Sequence, residues 1–372
     1  MKILVVANTY PSLQKPNYGA FVYNLVQEFA KEHEVIVITP FKVNDLFKKK
    51  HSTYGHEKSK LYRPMYLSLG NFRVGKLNLG RISSKFSKLA FERSLKKIKD
   101  VDVVYAHFLV NGVKVLDFVE KNKLPLVIAS GESYYNTIGA KIKLSLPRLK
   151  EQVSQFICVS NNNEEGLKEL GFSSEKMTLI PNAVDYDVFK PIDKNVAKRK
   201  LGLHPEDFVI GFIGHFIHRK GPNRIIQAVK NLNDAHVKVV CVGSGEKLDD
   251  NNFTLTLPPM PNGQLNEVYN AFDVFVLPTL SEGHCNVIEE AKACGVPIIS
   301  SKGTSVENQI NEQTGLLVDP LNISEIEKAI LKLYKDKEVR EGMVDNLLNL
   351  RGSNSLKVRA EKILTILKSS TK

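Results

Sequence analysis

Two carboxylates, Glu282 and Glu290, stand eight residues apart in the stretch DVFVLPTLSEGHCNVIEEAKACGVPIISS, residues 273–301. The pattern predicts a buried strand ending at Pro278, then a polar loop, then a helix opening near Gly283 to Asn286. One carboxylate then sits in the loop before the helix and the other about two turns inside it. Both lie near the carboxyl end of a parallel strand, where open α/β sheets bind ligands. The unsatisfied amides at the helix start add an anion site between them. A second loop-to-helix junction follows the first strand, where Asn8-Thr9-Tyr10-Pro11 leads through a polar loop to Gly19-Ala20. Glycine there either lets backbone N–H groups approach a ligand or simply serves the turn. This junction does not satisfy G-x-G-x-x-G, which argues against a nicotinamide dehydrogenase.

These loops need strands to hold them. Short Val/Ile-rich runs recur at 3–7, 35–39, 103–107, 126–129, 156–159 and 177–180, and again at 209–213, 237–242, 253–257, 274–277, 298–300 and 315–318. Most are followed by helical periodicity, the signature of βαβ units whose strands are covered on both faces. Two such series predict an α/β chain with two Rossmann-like halves. The expected first domain is 1–185 and the second 186–345, with a break in the aperiodic PNAVDYDVFKPIDKN. A C-terminal helix over 346–372 is expected to pack back toward the first domain.

Together these segments resemble the retaining glycosyltransferases of the large family 4. Glu282…Glu290 is similar to that family's E-x7-E element, and AKACGVPII to its AMACGxPVI. HEVIVITP, VVYAH, FICVSNNNEEGL, IPNAVDYDVFKP, FIGHFIHRKG, VVCVGSGE and TGLLVDP follow in the family's order. The resemblance implies a GT-B fold, two Rossmann-like domains facing across a cleft. It also implies a nucleotide-diphosphate sugar as co-substrate, with no metal or other cofactor. Lys220 in HRKGP matches the lysine that contacts the diphosphate, where charge builds as the anomeric carbon becomes oxocarbenium-like. The family usually has Gly-Arg where this chain has Gly214-His215. Either His215 contacts the phosphate or the neighbouring Arg219 supplies the missing guanidinium.

Further carry-over assigns Glu290 to ribose hydroxyls and Glu282 to hydroxyls of the donor sugar. Asn286 and the amides from Gly283 to Val287 would hold the diphosphate and sugar. His284-Cys285 stand where Phe-Pro is common and are expected to tune sugar choice, whereas Glu289 reads as a helix-surface charge. Gly243 and Gly245 resemble the family's glycine turn. In the first domain His107 closes a strand and would position or deprotonate an acceptor hydroxyl, or serve structure alone. Ser130-Gly131-Glu132 departs from the family's His-Gly, and Glu132 is a weak substitute for it.

The formal net charge of +12 is concentrated. Residues 42–99 hold 16 Lys+Arg against three acids, and the rest of the chain is near neutral. This segment is read as an insertion on the acceptor side. It contains Lys48-Lys49-Lys50, Tyr54 and Phe72, and its periodicity predicts a helix over 81–99 with Ile82, Phe86, Leu89 and Ala90 on one stripe. Three partners suit it: an anionic membrane carrying a lipid-linked acceptor, bulk solvent, or an anionic soluble acceptor. Nucleic acid is excluded, since no reader motif accompanies the charge.

Cys158, Cys241, Cys285 and Cys294 show no zinc spacing and read as buried thiols of a reducing compartment. No apolar run reaches the length of a membrane span, and the N-terminus lacks a signal-peptide pattern. A cytoplasmic protein, peripheral on the inner face of the membrane, is expected. The activity expected is retaining transfer of a sugar to a glycan or lipid-linked acceptor. The alternatives are a nucleotide-sugar epimerase of GT-B architecture and a non-catalytic nucleotide-sugar or membrane-binding module.

Overall fold

A computed structural model describes residues 1–15, 18–47, 58–69, 73–74, 77–132, 135, 139–249, 251–352 and 354–371. The tract Lys48 to Lys50, Tyr54 and Phe72 lie outside the described residues. The chain forms two compact units, one of residues 1–180 with 357–372 and one of residues 181–356. The divisions thus fall after Ile180 and Leu356 rather than after 185 and 345.

The first unit is built on seven parallel strands: β1 (Lys2–Val6), β2 (Glu34–Ile38), β3 (Lys60–Tyr62), β4 (Val103–His107), β5 (Leu126–Ser130), β6 (Val153–Cys158) and β7 (Met177–Leu179). Their spatial order is β7-β6-β5-β4-β1-β2-β3. Helices α1 (Ala20–Phe29), α2 (Leu79–Leu95), α3 (Leu109–Asn122), α4 (Ala140–Gln152) and α5 (Asn161–Glu169) belong to the same unit. The order reverses between β1 and β4, and such a switch point opens a crevice at the carboxyl ends of the strands. Apart from two residues at the edge of the central strands, β1, β2, β4 and β5 are buried along their lengths. Their continuous Val/Ile runs therefore follow from cover on both faces.

The basic segment is not a bare insertion. Its Lys-Leu-Tyr at 60–62 pairs with β2 in parallel and closes the sheet edge, a strand too short and too mixed to show in the pattern. The expected stripe of α2 is also reversed. Ser83, Phe91 and Leu95 are its buried residues, while Phe86 and Leu89 are 43% and 51% exposed. Phe91, Leu95 and Ile98 already bury the helix against the core, so Phe86 and Leu89 are left in solvent while Ile82 and Ala90 are half-buried.

The second unit repeats the plan with β8 (Phe208–Phe216), β9 (Val237–Gly245), β10 (Thr254–Leu257), β11 (Val274–Leu277), β12 (Ile298–Ser301) and β13 (Gly315–Val318). The order is β10-β9-β8-β11-β12-β13, again all parallel, with the switch between β8 and β11. Its helices are α6 (Lys194–Lys200), α7 (Pro222–Leu232), α8 (Leu265–Asn270), α9 (Asn286–Ala293), α10 (Ile323–Lys335) and α11 (Lys337–Asn349). The last helix, α12 (Leu356–Ser370), clusters almost entirely with the first unit. Ala360, Ile363, Leu364 and Leu367 are buried at helical spacing, which gives it an anchoring stripe.

Gly243 and Gly245 do not form a turn. They lie within β9, opposite Gly214 and Phe216 of β8. A Cβ on Gly243 would fall 1.9 Å from the Gly214 carbonyl oxygen, so glycine permits close approach of two strands.

Candidate functional site

The second unit gathers its charged side chains at the β8/β11 switch point. After β8, residues 217–221 turn back, and α7 starts with Gly221 in the left-handed region followed by Pro222 in its first turn. Arg224 of α7 ties this turn to the loop after β11. It donates from Nη1 to the His218 carbonyl at 2.8 Å and from Nη2 to the Pro278 carbonyl at 2.6 Å. The Leu280 amide adds a 2.8 Å bond to the Arg219 carbonyl. So braced, Arg219 and Lys220 converge on one carboxylate. Glu282 Oε1 lies 2.8 Å from Arg219 Nη1 and 3.1 Å from Lys220 Nζ. Arg219 also donates to the Ser281 carbonyl. Lys220 and Glu282 have side chains only 14% and 15% exposed, a setting in which charges interact more strongly than in water.

Gly214 lies under the lysine, since a Cβ there would stand 3.3 Å from Lys220 Cδ. His215 is exposed at the end of β8. The guanidinium brought to Glu282 is therefore that of Arg219.

The loop leading into α9 is held from a distant segment. Ser305 donates its hydroxyl to the Glu282 carbonyl. Gln309 accepts from the Cys285 amide at 2.7 Å and donates to the Cys285 carbonyl at 3.1 Å and to Glu289 Oε1 at 2.8 Å. This clamp takes the Cys285 amide away from any anion, which corrects the expected set of amides from Gly283 to Val287. The amides of Asn286 and Val287 lie in the first helical turn, before any intrahelical acceptor. Asn286 Oδ1 is buried with no hydrogen-bond partner among the described residues.

His284 and Cys285 turn inward. His284 Nε2 is 3.8 Å from Glu289 Oε1, and burial pushes the Cys285 thiol up to about 12. These side chains do not present themselves as a sugar-selecting pair. Glu289 is likewise no surface charge: it is buried among His284, Lys292 and Gln309.

Glu290 is buried on α9. Its Oε2 accepts from the Tyr269 hydroxyl at 2.7 Å and its Oε1 from Asn262 Nδ2 at 3.0 Å. Burial raises its pKa to about 7, against the pull of those two donors. A carboxylate has about four acceptor positions, so each oxygen keeps capacity for one more donor. Gln309, Ser305, Arg224, Asn262 and Tyr269 are missing from the reading of the sequence. Apart from the bond of Arg224 to His218, six residues away, they lie 20–54 residues from the groups they hold, and no local pattern marks them.

In the first unit His107 ends β4 at 5% exposure. Its ring centroid lies 4.5 Å from that of Phe108 and 5.1 Å from that of Phe21. Burial, with the buried Arg359 of α12 nearby, lowers its pKa to about 3. The imidazole is therefore neutral at physiological pH and a poor proton acceptor, which removes the deprotonating half of its expected role. Glu132 is occupied as a cap. It accepts from the Leu109 amide at the start of α3 and from the Ser130 hydroxyl, both at 2.7 Å. Gly19 has its own local reason: φ is +79° and a Cβ would meet the Thr9 carbonyl oxygen at 2.4 Å.

Comparison with known proteins identifies the family. Residues 193–348 match the family described as Glycosyl transferases group 1, and residues 19–188 match Glycosyltransferase Family 4. The UDP-Gal:alpha-D-GlcNAc-diphosphoundecaprenol alpha-1,3-galactosyltransferase of Escherichia coli is 30% identical over 311 residues, 77% of this chain and 80% of that protein. TuaC of Bacillus subtilis (strain 168), named for a teichuronic acid biosynthesis glycosyltransferase, is 27% identical over 369 residues. That match covers 93% of this chain and 92% of TuaC. Among solved structures, Anabaena HepE in complex with UDP and glucose superposes with a TM-score of 0.78 at 16% identity, covering 99% of this chain and 100% of HepE. A glycosyltransferase from Rickettsia africae gives 0.75 at 18% identity, covering 100% and 98%. The chain is a GT-B glycosyltransferase and belongs to glycosyltransferase family 4.

Proposed function

We propose that the chain transfers a sugar, with retention of configuration, from a nucleotide-diphosphate sugar to a glycan or lipid-linked acceptor of the cell surface. The observation that carries the reading is the convergence of Arg219 and Lys220 on Glu282 beside the start of α9. The E. coli relative is named for UDP-Gal and a diphosphoundecaprenol-linked sugar, and HepE was solved with UDP. In the proposed step the bond from the anomeric carbon to the diphosphate oxygen breaks, and its electron pair leaves on that oxygen. The acceptor hydroxyl oxygen bonds to the anomeric carbon on the same face, and its proton passes to the departing phosphate oxygen. Lys220 and Arg219 meet the charge that builds on the diphosphate, so the proposal assigns no metal to it. Asn286 and the first-turn amides of α9 orient the same group. Glu282 Oε2 takes a hydroxyl of the donor sugar, and Glu290 takes the ribose hydroxyls. His107, being neutral, positions an acceptor hydroxyl without deprotonating it.

The test is a screen of nucleotide sugars for thermal stabilisation, slow hydrolysis and transfer to lipid-diphosphate sugars. Stabilisation by a nucleoside diphosphate with turnover of one donor is expected. No response to any donor rejects the reading, and conversion of donor to an epimer without acceptor replaces it.

The chain is further proposed to work at an anionic membrane surface. Among the described residues no helix is long and apolar enough to cross a membrane. Instead, Phe86 and Leu89 are exposed on α2 beside the exposed Lys85 and Lys88, and Phe47 and Met65 of the same basic segment are 88% and 58% exposed. Each basic residue near an anionic lipid surface is worth about 1 kcal/mol. Changing Lys85 and Lys88 together to glutamine is expected to weaken pelleting with phosphatidylglycerol vesicles by about tenfold or more. Unchanged pelleting would reject this face as the contact.

A further inference from the structure

Glu290 is held without a cation. Its side-chain bonds come from the Tyr269 hydroxyl to Oε2 and from Asn262 Nδ2 to Oε1, at 2.7 Å and 3.0 Å. Among the described residues the titratable groups within reach of its charge are Tyr269 and the thiols Cys285 and Cys294, which stand before and after α9. Burial pushes all three up, so each stays neutral through the physiological range. Two neutral donors, one on each oxygen, are therefore what supports the carboxylate in its charged form. Tyr269 is also more than a core aromatic. It is fully buried, and its ring packs against Phe189, Phe272 and Phe275 with centroids 5.8, 6.0 and 5.9 Å away. A phenylalanine would fill that cluster as well, and a buried hydroxyl costs stability unless it has a partner. The partner here is Glu290. Helix α8 is itself tied down, since Asn266 Oδ1 accepts from the Lys190 amide and Asn270 Oδ1 from the Ile192 amide, both at 2.8 Å. A carboxylate offers about four acceptor positions. With one taken on each oxygen, one remains on each, the pattern that two neighbouring hydroxyls require.

We propose that Tyr269, with Asn262, is a positioning residue for the nucleotide ribose: the two fix the Glu290 carboxylate so that it discriminates a ribonucleotide from its 2′-deoxy form. The inference rests on the transferase reading, in which Glu290 takes the ribose hydroxyls, and adds the residues that hold it to that task. Neither residue touches the nucleotide in this scheme. Both act through the carboxylate, by fixing its plane and by leaving it two acceptor positions and no more.

The test titrates the full chain by calorimetry with UDP, with GDP, and with the 2′-deoxy form of the tighter of the two. The parent is expected to prefer the ribonucleotide by about tenfold or more, since its 2′-hydroxyl donates to a charged group. Tyr269→Phe keeps the ring and removes the donor, and is expected to cut that preference by about fivefold. It should also move the pH at which the preference appears above about 7, because a lost donor makes the anion harder to hold. The ratio of the two affinities cancels the titration of the phosphates, which both forms share. Asn262→Ala should act in the same direction, and Asn262 is half-buried in a short turn, so this variant guards against loss of fold. Added to Glu290→Gln, either change should alter the ratio by less than about twofold, since both act through the same group. Equal loss of affinity for both forms, or a loss that adds fully to that of Glu290→Gln, overturns the proposal. So does a parent without the preference, or an unchanged ratio in both variants. Failure of the parent to bind either ribonucleotide rejects the transferase reading and takes this inference with it.

Discussion

Replacing Lys220 by alanine is expected to lower the rate of sugar transfer by about 10²–10³-fold, the usual loss when one preorganised donor to developing charge is removed. The fold should survive, because the ammonium is spent on Glu282 and the stem lies against Gly214 rather than filling the core. Glu282→Gln is its informative partner. It leaves Arg219 and Lys220 facing one another without the carboxylate that holds them 2.8 Å and 3.1 Å from a single oxygen. Two released cations attract a diphosphate at least as well, but they no longer stand where the charge develops. Affinity for UDP is therefore expected to hold or rise while turnover falls, a split that uniform weakening of binding does not produce. Titration of UDP by calorimetry, beside single-turnover transfer rates, measures both quantities. Transfer by Lys220→Ala within about threefold of the parent sinks the assignment.

The second large effect concerns Glu290 and pH. Its carboxyl titrates at about 7 in the folded chain, against an ordinary 4.5, because burial disfavours the anion more than Tyr269 and Asn262 support it. A group whose pKa is raised on folding adds stability in its protonated form. That contribution is complete below about 4.5 and is lost as pH rises through about 7. Chemical denaturation between pH 5 and 8 should show the parent losing stability on the order of 3 kcal/mol relative to Glu290→Gln, which cannot ionise. Ligand binding should run the other way. Ribose hydroxyls donate best to the carboxylate, so UDP affinity is expected to rise with pH through about 7 and to level off above it. The glutamine variant should bind weakly with little pH dependence. Parallel stability profiles for parent and variant would refute the assignment.

Much of this was legible in the sequence, and what was hidden has physical reasons. Strands β1, β2 and β4 announce themselves because covered parallel strands need unbroken Val/Ile runs. Glu282, Glu290 and Lys220 are legible because they sit at the ends of such strands or on the helix that follows. Strand β3 is not, since three residues at a sheet edge impose no period. The exposed side of α2 is hidden too. Periodicity shows that a helix has an apolar stripe, but Phe91 and Leu95 decide which apolar residues reach the core. Glu132 reads in the sequence as a weak substitute for the family's His-Gly, and its bonds to Leu109, 23 residues away, and to the neighbouring Ser130 make it a cap. His107 and Glu290 are both titratable groups whose chemistry is reset by burial, which no local pattern reports.

The clamp from Ser305 and Gln309 has a consequence for how this loop tolerates change in its sequence. It grips the loop by the carbonyl of Glu282 and by the amide and carbonyl of Cys285, so the course of the chain does not depend on which side chains occupy 284 and 285. Those two positions can be exchanged in evolution, within what the packing against Glu289 and the core allows, while the turn into α9 keeps its path. Sequence change in the loop and the placing of Glu282 are thereby written into separate parts of the chain.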